Sequence, residues 1–226
     1  KNITESVLLS KKIIPETIYA GIDENADIYA TDICVSENGS EFDIAIGEDV
    51  FHARTKILGI HNVQNIMLAV AMAYKLGVEM PFILNAIENL EPVAHRQQLI
   101  KGNGVNVIDD SFNSNPDGAK FALMTLVMFN TRKVVVTPGL VELGSREVEE
   151  NRLLGKRIAD VADVVLLICN ERTEPILRAL KESEFGGEIK RYDSLAACEK
   201  DFVNTLKLGD TLLILNDLPD IYDDLK

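Results

Sequence analysis

The sequence predicts an α/β protein in which a parallel-sheet unit follows a strand-and-helix segment, and three observations lead there. From Val105 onward short apolar runs alternate with helix-length amphipathic stretches, the rhythm of strand–helix–strand crossovers. Runs such as Val134-Val135-Val136 and Val164-Val165-Leu166-Leu167-Ile168 are apolar at every position, as parallel strands covered by helices on both faces must be. The chain before Gly59 instead carries β-rich pieces divided by Asp-Glu-Asn, Glu-Asn-Gly-Ser and Gly-Glu-Asp punctuation, a pattern of short strands and turns.

Taken in order, strands are predicted at Thr17–Ala20, Ile28–Ser36, Glu41–Ile46 and Val50–Arg54. A helix over Asn62–Lys75 follows, expected to be strongly buried through Ile66, Leu68, Ala69, Val70, Met72 and Ala73, and closed by Gly77 just past its end. A second helix begins after Pro81, with Phe82, Ile83, Ala86, Ile87 and Leu90 as its buried stripe, and Pro92 forbids its continuation. Then come strand Val105–Ile108, helix Pro116–Asn130, strand Lys133–Thr137, helix Arg146–Val161 and strand Val164–Cys169. Helix Glu174–Glu182, strand Glu188–Tyr192, helix Leu195–Leu206 and strand Thr211–Leu215 complete the series. Five parallel strands joined by four crossover helices make one α/β unit, and the boundary before it is placed at Arg96–Lys101, dividing the chain into 1–97 and 98–226.

Composition narrows the function. The 226 residues carry a formal charge of −13, with 46% hydrophobic and 26% charged residues, a globular balance that disfavours wholesale disorder. Nucleic acid and anionic membrane surfaces are poor partners for such a surface, although one cationic cleft for a nucleotide is compatible with it. Cys34, Cys169 and Cys198 are odd in number and lack metal-ligand spacing, so a reducing cytoplasm is expected rather than a disulfide framework or zinc cluster. No apolar run approaches a membrane span and no signal peptide is visible. The chain opens at Lys1, without Met, in what reads as a folded segment, and is therefore read as part of a longer protein.

Five segments can carry chemistry. Gly59-Ile60-His61-Asn62-Val63-Gln64-Asn65 stands at a helix mouth; Asn62 and Asn65 lie one turn apart, and either cap the helix or present two carboxamides that can read a heterocycle edge. Pro92-Val93-Ala94-His95-Arg96 lies at the junction of the two parts, where Arg96 either pairs with a surface acid or reaches phosphates bidentately. Asp109-Asp110-Ser111-Phe112-Asn113-Ser114-Asn115-Pro116-Asp117 follows the first parallel strand, with Asn115 as helix cap and Pro116 in the first turn. Carboxyl strand ends are where open α/β sheets bind ligands, so Asp110 can accept from ribose hydroxyls, or the pair of acids is merely solvated. Thr137-Pro138-Gly139-Leu140-Val141-Glu142-Leu143-Gly144 and Leu215-Asn216-Asp217-Leu218-Pro219-Asp220 follow buried strands at the same edge. Neither a G-x-x-x-x-G-K-[ST] loop nor a G-x-G-x-x-G fingerprint occurs, and no Ser/His/Asp or Cys/His nucleophile arrangement stands out. The missing glycine fingerprint argues against a dinucleotide-dependent dehydrogenase.

In this order the segments resemble the Mur ligases, ATP-dependent amide-forming enzymes of peptidoglycan assembly. Residues 59–65 are similar to that family's G-x-H-N-x-x-N helix start, Val93-Ala94-His95-Arg96 to its hinge arginine, and 109–117 to the D-D-S-Y-N-A-N-P-D signature of its D-alanyl-D-alanine-adding branch, with Phe112 for Tyr and Ser114 for Ala. The resemblance implies a Rossmann-like C-terminal domain preceded by the strand-and-helix tail of a central ATPase domain. It implies that Asn62 and Asn65 face adenine, Asp110 holds the ribose, Arg96 touches phosphates and Asn113 borders the nucleotide, with Glu142 and Asn216 near the incoming amine. ATP and Mg2+ would be required, the magnesium ligands and phosphate loop lying upstream, so no metal ligand is assigned. The implied partners are a UDP-linked muramoyl peptide and D-alanyl-D-alanine, and the implied state a cytoplasmic monomer. Another amine, such as glutamate, or a non-catalytic nucleotide-binding module are the alternatives.

Overall fold

The computed structural model describes residues 17–112, 114–168 and 171–215, and the chain divides into two compact units. The first comprises residues up to 35 together with 39–56 and 60–90; the second takes 36–38, 57–59 and everything from Glu91.

In the first unit β1 (Ala20–Gly21), β2 (Ile28–Ser36), β3 (Gly39–Ile46) and β4 (Asp49–Thr55) form a sheet in that order. β1 runs parallel to β2, and β3 and β4 are antiparallel with Phe42 opposite Ala53 and Ile44 opposite Phe51. The period-two alternation sends Phe42 and Ile44 inward, both fully buried. Against them pack α1 (Ile60–Lys75) and α2 (Met80–Glu88). Val63, Ile66, Met67, Val70 and Ala71 give α1 one buried stripe at helical spacing. Gly77 closes it as expected: at φ +84° its N–H donates to Tyr74 O, and Val78 N–H to Ala73 O, the paired bonds of a left-handed C-terminal cap.

The expected burial of both helices is corrected. Leu68 and Met72 are 55% and 64% exposed and Phe82 is 65% exposed, while Ala69, Ala86 and Leu90 are exposed as well. A helix turns only one stripe of its circumference toward a single sheet. Ala69, Ala73, Val78, Phe82, Ala86 and Leu90 are among the residues that line an open groove of about 190 Å³ between α1 and α2.

In the second unit β5 (Gln98–Gly102), β6 (Val105–Asp110), α3 (Pro116–Val127), β7 (Lys133–Thr137), a single 3₁₀ turn (Gly144–Arg146), α4 (Glu147–Ala159) and β8 (Val164–Ile168) follow one another. Next come α5 (Glu174–Glu182), β9 (Glu188–Tyr192), α6 (Leu195–Thr205) and β10 (Thr211–Leu215). The sheet order is β5-β6-β10-β7-β8-β9. Five strands are mutually parallel, as read from the sequence. The sixth, β5, is an addition: it runs antiparallel to β6, joined by Asn103-Gly104, both left-handed at φ +53° and +74°. That two-residue turn matches the strand twist.

Helices α3, α4 and α5 cover one face through Leu126, Leu154 and Ile176 against Val135, Val165 and Leu213. Helix α6 covers the other, with Cys198 against Val134, Val136, Val164 and Leu166. Alternate residues of one strand thus enter two cores, which is why the strands read as unbroken apolar runs. Because β10 returns to lie between β6 and β7, with Leu215 level with Asp110 and Ile214 with Val136, the carboxyl ends of the three strands lie side by side. Among the described residues no helix is long and apolar enough to cross a membrane.

Candidate functional site

At the mouth of α1, Gly59 turns the chain at φ +91° into the helix, which begins at Ile60. Asn62 therefore sits inside the first turn rather than at the cap. Asn65 Nδ2 lies 3.5 Å from Asn62 Oδ1, so the two carboxamides share a face, as their spacing requires. His61 beside them is partly buried, and burial lowers its pKa, favouring neutral imidazole.

A connected polar arrangement lies at the carboxyl end of β6. His95 Nδ1 is 2.9 Å from Asp109 Oδ2, and Ser111 Oγ lies 3.3 Å from the same nitrogen. Ser111 N–H donates to Asp109 Oδ1, and Phe112 N–H donates to His95 O. The Gln97 amide donates to Asp110 Oδ1 at 3.2 Å. Arg96, exposed between them, places its guanidinium 4.4 Å from the centroid of the Phe112 ring, a cation–π stack that holds the cation beside the acidic turn. Residues 95–97 are thereby stitched to 109–112, and His95 and Gln97 adopt left-handed backbones at φ +62° and +50° to make the stitches. Such conformations are costly for non-glycine residues and persist where surrounding bonds over-determine them.

Burial raises the pKa of Asp110 from 3.8 to about 6. The Gln97 N–H and the Arg96 charge pull it down, and neighbouring Asp109 pushes it up. At neutral pH the carboxylate is the dominant form, and it keeps an acceptor oxygen beyond the one facing Gln97.

The helix that follows is capped as read from sequence: Asn115 Oδ1 accepts from Gly118 N–H at 2.8 Å, with Pro116 in the first turn. After β7, Gly139 N–H donates to Thr137 Oγ1. Asn151, reaching from α4 and 1% exposed, accepts from Leu140 N–H and donates to Leu140 O and Glu147 O. This anchored loop holds Glu142 exposed in a left-handed conformation at φ +63°. Asn113 and Asn216 lie outside the described residues.

Thus Arg96 and Asp110 are brought together, Glu142 belongs to a loop at the same edge of the same sheet, and Asn62 and Asn65 pair within the first unit. The roles of His95, Gln97, Phe112 and Asn151 escaped the sequence reading. His95 and Asp109 both stood in segments singled out there, but nothing in their spacing pairs them.

The family model for the Mur ligase glutamate ligase domain matches residues 95–216, and that for the Mur ligase middle domain matches residues 2–73. The UDP-N-acetylmuramoyl-L-alanyl-D-glutamate–2,6-diaminopimelate ligase of Alkaliphilus oremlandii is 26% identical over 179 residues, covering 79% of this chain and 36% of its own length. The UDP-N-acetylmuramoyl-tripeptide–D-alanyl-D-alanine ligase of Buchnera aphidicola is 28% identical over 152 residues, covering 67% and 32%. The crystal structure of the MurF ligase of Thermotoga maritima in complex with ADP shares the fold at a TM-score of 0.77 and 22% identity, over 93% of this chain and 48% of that one. The chain spans about a third of the length of these two curated relatives. It belongs to the Mur ligase family.

Proposed function

We propose that this chain is the part of an ATP-dependent ligase of peptidoglycan precursor synthesis that holds the ribose and phosphates of ATP and receives the amine. The observation that carries the reading is the juxtaposition of Asp110 and Arg96 at the carboxyl end of β6, an anchored acceptor beside an exposed, stacked cation. In the proposed assignment Asp110 accepts from ribose hydroxyls and Arg96 meets the phosphates in bidentate fashion. Asn62 and Asn65 read adenine, Asn113 borders the nucleotide, and Glu142 and Asn216 serve the amine pocket. Residues 1–97 are assigned to the central domain and 98–226 to the C-terminal domain. The full-length protein is proposed to act as a cytoplasmic monomer.

In the proposed reaction a substrate carboxylate attacks the γ-phosphoryl group of ATP to give an acyl phosphate and ADP. The amine of D-alanyl-D-alanine then displaces phosphate, forming the amide on a UDP-linked muramoyl tripeptide. Such chemistry asks for positioning and charge neutralisation and needs no protein nucleophile. Among the described residues no group of three acidic, His or Cys side chains is placed to hold a metal ion. Magnesium is proposed to accompany ATP with its protein ligands in the upstream part, and no step is routed through it.

The segment Asp109–Asp117 favours D-alanyl-D-alanine as the amine. The name of the Alkaliphilus relative, a 2,6-diaminopimelate ligase, supports the second reading, a single amino acid. Phosphate release by the full-length protein, with ATP, the cognate UDP-muramoyl peptide and each amine in turn, separates them. Release dependent on D-alanyl-D-alanine is expected; turnover with diaminopimelate, lysine or glutamate alone selects the second reading, and none with any amine removes both.

A further inference from the structure

The side chain and the backbone of Gln97 point to different partners. Its side chain is 6% exposed, and its Oε1 accepts from the Thr125 hydroxyl of α3 at 2.9 Å. Its backbone, at φ +50°, turns the N–H onto Asp110 Oδ1. Without a tether a glutamine would leave that left-handed region for an ordinary extended or helical one. The N–H would then swing away from the carboxylate. Thr125 is itself fixed: it is 1% exposed, and its Oγ1 also lies 3.1 Å from Phe121 O one helical turn back.

We propose that Gln97, clamped by Thr125, is a positioning residue for Asp110: the buried amide–hydroxyl bond holds a strained backbone whose N–H fixes the orientation of the carboxylate before any ligand arrives. The chain of contacts runs from α3 through a side chain to a main-chain donor and on to the acceptor. It makes helix α3, and not the acidic turn alone, responsible for how that acceptor is aimed. Pre-aligned acceptors spare a binding partner the entropy of ordering them. The functional consequence rests on the proposal that Asp110 holds the ribose; the positioning itself does not.

The charged groups that bear on Asp110 are Arg96 and Asp109, with His95 bonded to Asp109, and the test leaves all of them in place. Carbon-detected NMR of the side-chain carboxyl of Asp110 in this chain gives its titration midpoint. Because an N–H donated to a carboxylate favours the ionised form, Thr125→Val and Gln97→Met should each raise the midpoint by roughly half a pH unit or more. The double variant should rise no further than either single one, since both delete one bond. Thr125→Ser, which keeps the hydroxyl, should restore the original midpoint. Equal shifts for Thr125→Ser and Thr125→Val, additive shifts in the double variant, or no shift in folded variants would overturn the proposal. One measurement needs no substitution: the Gln97 amide proton should move with pH along the Asp110 titration curve, and an amide indifferent to that curve overturns it too. The ribose reading is tested apart from this, by nucleotide affinity of the full-length Asp110→Asn protein. Failure there leaves the positioning intact, and failure of the titration leaves the ribose contact intact.

Discussion

Asp110, the proposed ribose acceptor, is held in the folded chain at the expense of stability. Its folded pKa of about 6 exceeds the ordinary 3.8, so between those values the folded chain binds more protons than the unfolded one. By linkage, stability falls as pH rises through that window and levels off above it. The charged carboxylate is thus destabilising at neutral pH despite the Gln97 N–H and Arg96, which only reduce the cost of burial. Asp110→Asn, neutral at every pH, should be more stable than the parent at pH 7 and match it near pH 3.5. Urea midpoints at the two pH values check this; an equal offset at both would mean that the substitution acts through packing and not through charge. A half-buried acid that weakens the free protein fits the proposed role of ligand acceptor.

At the scale of elements, the loop after β7 owes its shape to one side chain from α4. Asn151 satisfies both the N–H and the C=O of Leu140, and a Cβ on Gly139, at φ +85°, would come within 2.8 Å of Asn151 Oδ1. Asn151→Ala would orphan two buried backbone groups and should cost about 3 kcal/mol, measurable by denaturant unfolding. A loss below about 1 kcal/mol would show that water replaces the carboxamide. Elements of this unit were legible because burial on both faces forces apolar runs and a cap such as Asn115 obeys local backbone chemistry, as Gly77 does in the first unit. The edge strand β5 escaped, although Asn103-Gly104 is the turn that a tight hairpin demands. Leu68, Met72 and Phe82 were read as buried because periodicity reports that a residue is apolar, not what covers it. The left-handed backbones of His95 and Gln97 left no trace in composition or spacing, being imposed by partners distant in sequence. The acidic turn and Arg96 could be named from sequence, whereas the stitching that joins them could not.

For the molecule as a whole, the decisive feature is that the two units hold separate cores. Phe42, Ile44 and Met67 centre the first, and Leu126, Val135, Leu154 and Leu213 the larger cluster of the second, all at most 1% exposed. A compact unit is the cooperative quantum of unfolding, and chains with two such units depart from two-state behaviour. Cavity variants test whether each core governs its own transition. Phe42→Ala should cost about 3–5 kcal/mol and Leu213→Ala about 2–5 kcal/mol, enough to separate transitions in calorimetry. The first should lower one heat-capacity peak and leave the other in place, and the second should do the reverse. Assignment follows from the tyrosines: Tyr29 and Tyr74 lie in the first unit and Tyr192 in the second, so Tyr192→Phe changes the near-ultraviolet signal of one peak only. If both variants instead lower a single shared transition by similar amounts, the two cores melt as one, and the sheet edge that carries Asp110 then draws its stability from the first unit as well as from its own.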